Sequence, residues 1–114
     1  MKRDPTLYLE DIISVCRRIE DYTAGLTFED FRADDMTVDA VVWNIKVISE
    51  AAGNIPSDVR MRMPEVAWND ASALRDAVIH DVTDVDLPLV WEIVRTKAAP
   101  LANQISAYLK TAGR

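Results

Sequence analysis

Apolar residues in this sequence return at steps of three and four, segment after segment, and nowhere alternate with polar ones for the length of a strand. Tyr8, Ile12, Val15, Ile19 and Tyr22 trace one face of a helix over residues 4–22, with Asp4 before Pro5 as its start and Gly25 as its stop. Val38, Val41, Val42, Ile45, Ile48 and Ala52 mark a second helix over 37–52. Ala71, Leu74 and Val78 mark another, capped by Asn69 and ending near the acidic run from Asp81 to Asp86. The last opens at Asp86 and Pro88 and carries Leu87, Val90, Val94, Ala98, Leu101, Ile105 and Tyr108 to a stop at Gly113. Pro100 lacks a backbone donor and should kink or briefly break it. Short helical pieces fill the gaps at 27–31, where Thr27 caps and two aromatics can cover the end of a bundle, and at 57–62, stopped by Pro64. With no Asn-Gly or Asp-Gly hairpin turn and no internal repeat, the expected fold is all-α, an up-down helical bundle with a long kinked C-terminal helix.

A chain of 114 residues fits one domain over 1–114, large enough to bury roughly 65% of its unfolded surface without a metal or disulfide. Leu9, Ile13 and Cys16 widen the first stripe, so that helix should pack on two surfaces, and a homodimer is expected. The single Cys16 cannot form an internal disulfide and reads as a small core residue. Nothing uninterrupted and apolar precedes Glu10 and Asp11, and no run of about 18 apolar residues occurs anywhere. A cytoplasmic protein without membrane contact is expected.

The net charge of −6 argues against tight non-specific binding to a nucleic-acid backbone. The imbalance is local, however. Glu29, Asp30, Asp34, Asp35 and Asp39 face only Arg32, whereas Arg60, Arg62 and Arg75 fall mid-chain, where a polyanion would be met.

His80 is the one histidine, and a lone imidazole titrating near neutrality is the natural proton carrier. Asp76, four residues earlier on the same expected helix face, is placed to fix its tautomer, for either a switch or a general acid/base. Arg75 suits a bidentate grip on phosphate. Five residues from His80, it is rotated by roughly 140° on an ideal helix, so the two share a site only through a long side chain, a frayed helix end or a second copy of the chain. Glu50 lies among small and apolar residues, either paired with Arg75 or solvated on an outer face. Trp43, Trp68 and Trp91 offer a base-stacking platform, but helix tryptophans more commonly anchor cores. No Gly-rich phosphate loop, Gly-x-Ser-x-Gly elbow or metal-ligand spacing is present, and no cofactor is expected.

Six stretches, in order, resemble the HepT-like toxin branch of the HEPN superfamily. They are Arg3-Asp4-Pro5, Leu26-Thr27-Phe28-Glu29-Asp30-Phe31, Ile48-Ser49-Glu50-Ala51-Ala52, Pro64-Glu65-Val66-Ala67-Trp68, Leu74-Arg75-Asp76 through His80, and Val85-Asp86-Leu87 with Val90-Trp91. That family's motif is Arg-x4-His-x-Tyr, matched here by Arg75 and His80, with Val82 in place of the tyrosine. The resemblance implies a dimeric helical toxin partnered by a minimal nucleotidyltransferase antitoxin. It implies metal-independent RNA cleavage by attack of the ribose 2′-hydroxyl, His80 moving the proton and Arg75 holding the phosphate. In the family the motif tyrosine receives AMP from the antitoxin. Val82 has no hydroxyl, and the next one, on Thr83, is harder to activate than a phenol, so neutralisation by occlusion is expected. A helical interaction module that binds a nucleotidyltransferase or a nucleotide without cutting RNA is the alternative.

Overall fold

The computed structural model describes residues 3–81 and 83–112. The Val82 departure and the stop assigned to Gly113 lie outside them. The described chain is 77% helical, with seven helices and one two-stranded sheet. It is all-α in class, as the apolar periodicity demands.

The first helix, α1 (Pro5–Thr23), starts where Asp4 accepts a hydrogen bond from the Thr6 N–H at 2.9 Å. The chain leaves it through Gly25, whose φ of 76° lies in the left-handed region that glycine enters without penalty. The short α2 (Phe28–Arg32) carries a full capping box, Thr27 and Asp30 each satisfying the other's backbone N–H. Phe31 is fully buried, and its ring lies 5.1 Å from that of Trp91, so this piece does close one end of the bundle.

Helix α3 (Asp35–Gly53) begins two residues before the sequence pattern because Asp34 caps it, accepting from the Thr37 N–H at 3.1 Å. Its neighbours are α1 and α5 (Trp68–Val78), while α1 also packs on α7 (Ala98–Ala112). Most of the two-sided apolar stripe of α1 is thus buried within one chain, although Tyr22 stays exposed. Cys16 is fully buried there, and burial pushes its thiol up to about 12, as befits an inert core residue. Between α3 and α5, α4 (Ser57–Met61) is followed by an irregular segment that leads to Trp68.

Two expectations need correction, and a third is met with a shift in its place. Asn69 does not cap α5: the helix starts one residue earlier, at the buried Trp68, with Ala67 in the cap position and no side-chain cap bond. Helix α5 also ends sooner. Ile79 is extended (φ −107°, ψ 108°), and β1 (Ile79–Asp81) pairs antiparallel with β2 (Asp84–Val85), Ile79 opposite Val85 and Asp81 opposite Asp84. Carboxylates of Asp81 and Asp84 on a continued helix would face the negative end of its dipole. In the hairpin they lie exposed, while Ile79 and Val85 pack on the core. Finally, the long last helix is two, α6 (Leu87–Thr96) and α7, separated at Lys97. The Pro100 ring crowds the carbonyl four residues back, that of Thr96, which places the break there rather than at the proline itself.

No helix among the described residues is long and apolar enough to cross a membrane.

Candidate active site

Arg75 leaves the last turn of α5, and its backbone is tied to α3. The buried Ser49 hydroxyl accepts from the Arg75 N–H at 2.7 Å and donates to the Ala71 carbonyl at 3.3 Å, the two groups that one helical hydrogen bond would join. The guanidinium projects outward, half exposed, and bonds Asp76 at 2.8 Å. An exposed pair between neighbours contributes little, so a phosphate can take the guanidinium over at small cost.

His80 stands on β1, beyond the end of the helix. This resolves the angular conflict in the sequence: the chain leaves its helical path at Ile79, and Arg75 and His80 line one concave surface of about 570 Å³. Asp76 does not orient the imidazole, because the helix that would have stacked them stops between the two. The Asp86 carboxylate lies 4.0 Å from His80 Nε2. That is too long for a hydrogen bond. Asp86 also caps α6 by accepting from the Leu89 N–H at 3.1 Å, and its own N–H bonds the Val78 carbonyl at 2.8 Å. Sequence reasoning gave Asp86 only the role of a helix start.

From α3, Val38, Asp39, Val42, Trp43 and Lys46 complete the concave wall. Glu50 is exposed and borders an adjoining concavity of about 350 Å³ together with Trp43, Lys46, Arg75 and Asp76. Of its two sequence readings, the solvated outer-face charge is the one observed; the ion pair that Arg75 makes is with Asp76. Arg60 lies elsewhere, half-buried, donating to the carbonyls of Ile55 at 3.0 Å and Ala52 at 2.7 Å at the end of α3. Lys46 supplies the second cation instead. Trp68 and Trp91 are packed, but Trp43 is not a core residue: 63% of it is exposed. Its position outside the buried stripe of α3 was readable in the sequence.

Chemically, the surface offers a proton carrier, an anion-gripping guanidinium and an open approach. An imidazole can carry a proton and a guanidinium can hold an anion, so such a set on a small helical bundle is compatible with chemistry at a phosphate. The "Ribonuclease HepT-like" family model matches residues 12–108, and the chain belongs to that family. "Probable ribonuclease HepT" of Thermococcus cleftensis is 39% identical over 95 residues, covering 83% of this chain and 86% of that protein. "Putative RNase MJ0127" of Methanocaldococcus jannaschii is 33% identical over 109 residues, covering 96% and 90%. No solved structure matches the chain.

Proposed function

We infer that this protein is the toxin of a toxin–antitoxin pair and cuts RNA at the surface formed by Arg75 and His80. The observation that carries the reading is their convergence on one open concavity, inside the stretch matched by the ribonuclease family. RNA holds its own nucleophile, the 2′-hydroxyl. Its oxygen bonds to phosphorus as the bond to the 5′-oxygen breaks, leaving a cyclic phosphate. The neutral imidazole of His80 takes the hydroxyl proton, the departing 5′-oxygen gains one from an imidazolium or water, and Arg75 holds the charge that builds on the phosphoryl oxygens. Such a reaction needs no metal. A homodimer would double the cations at a shared cleft, and an antitoxin of the minimal nucleotidyltransferase type would silence the site by covering it, since Val82 offers no hydroxyl for AMP.

The test is cleavage of a labelled RNA in excess EDTA, with end-group analysis of the products. The wild-type protein should leave 2′,3′-cyclic phosphate ends. His80→Ala and Arg75→Ala should each slow cleavage at least a hundredfold without shifting the melting temperature, both side chains being half exposed. Sedimentation at twice 12.8 kDa would support the dimer. RNA binding with no cleavage by the wild type would favour the non-catalytic interaction module.

A further inference from the structure

Trp43 is unlike the other two tryptophans. Trp68 is buried and Trp91 packs against Phe28 and Phe31, whereas Trp43 keeps 63% of its surface exposed on α3, outside the buried stripe of Val41, Asn44, Ile45 and Ile48. Single exposed apolar residues are ordinary on protein surfaces. What sets this one apart is its company. Trp43 and Lys46 line both concavities that meet at Arg75, and His80 lines the larger. The Lys46 ammonium lies 5.6 Å from the centre of the indole ring, a contact that restrains both side chains. An exposed aromatic plate beside a restrained cation and a phosphate-gripping arginine matches the two halves of a nucleotide, base on the ring and backbone on the cations.

We propose that Trp43 and Lys46 form a stacking subsite for an unpaired base next to the phosphate held by Arg75, so that the site selects single-stranded RNA. This rests on the ribonuclease reading and extends it to the strand state of the substrate. Bases inside a duplex are already stacked on one another, and only a loop, a bulge or a free strand can turn one out onto an indole. Every base has a π face, so the subsite tolerates sequence. The charge around it points the same way. Carboxylates of Asp39, Asp81, Glu50 and Asp76 border the two concavities, which weakens phosphate attraction and shifts a larger share of binding onto the ring. Binding should accordingly fall only gently with added salt.

The experiment is fluorescence anisotropy with a labelled RNA carrying 2′-O-methyl groups throughout, which cannot be cut by this chemistry, presented as a single strand and as a duplex. The wild type should prefer the single strand at least tenfold. Trp43→Ala should weaken single-strand binding roughly five- to hundredfold, Trp43→Phe should recover part of the loss, and Lys46→Ala should lose less than Trp43→Ala. The exposure of Trp43 means that its replacement leaves the core untouched. His80→Ala, run in parallel on cleavable RNA, separates the two ideas. If that variant still cuts, the catalytic reading falls, while Trp43-dependent binding of the single strand still supports the subsite. Equal affinity of Trp43→Ala and wild type for the single strand overturns the subsite whatever happens to cleavage. So does a Trp43→Ala protein whose sedimenting mass is half that of wild type, since the ring would then face a second copy of the chain.

Discussion

Ser49 joins α3 to α5 through one hydroxyl, which takes the N–H of Arg75 and gives its own hydrogen to Ala71. Removing it loses the hydroxyl's two bonds but leaves Arg75 and Ala71 inside a continuous α-helix, so Ser49→Ala should cost only about 1 kcal/mol in a denaturant titration. The consequence for the guanidinium is larger. Without the tether, α5 can shift against α3, and misplacement by a fraction of an ångström is felt in phosphoryl transfer. Cleavage by Ser49→Ala should drop roughly tenfold while the protein stays folded; full activity in that variant would reduce Ser49 to a packing residue. The sequence suggested no role for this hydroxyl and put the ring of Trp43 in the core, for different reasons. Ser49 acts on a residue 26 positions away, which no local spacing reports. Trp43 stood off the apolar stripe in plain view, but the general habit of tryptophans pointed to the core.

The long helices were legible because each buries a stripe, and a stripe is a local pattern. The caps at Asp4 and Thr27 were legible for the same reason: side chain and partner are at most three residues apart. Cap chemistry also gives α3 a pH dependence. The Thr37 hydroxyl, and after it the Thr37 backbone N–H, hold the Asp34 carboxyl below the usual carboxylate range. A depressed folded-state value means stabilisation that is full above the unfolded value and lost as the pH falls through the folded one. Wild type should therefore melt above Asp34→Ala at neutral pH, and the gap should close in acid below about pH 4, as thermal scans across that range would show. The hairpin of β1 and β2 escaped the sequence reading because two and three residues are too few to display a period of two. Its pairing is set by where Ile79 and Val85 find the core.

At the scale of the molecule, the candidate site is assembled from parts of unequal permanence. Arg75 is held by a hydrogen bond from its backbone to the buried Ser49, and that amide can meet solvent only when α3 and α5 separate. His80 rides on a two-stranded ribbon with a register shift, a unit that is marginal by itself and opens without the rest of the fold. Hydrogen–deuterium exchange should resolve this: the Arg75 amide protected to nearly the free energy of global unfolding, the residues of β1 exchanging orders of magnitude faster through local opening. Equal protection across both would mean that the ribbon is anchored by more than its own ladder. The expected inequality would make the proton carrier and the anion grip separable in time, so that the competent arrangement is one member of a fluctuating population. Any ligand that clamps the ribbon down, whether RNA or a covering antitoxin, would then be read as a change in the exchange rate of a few amides.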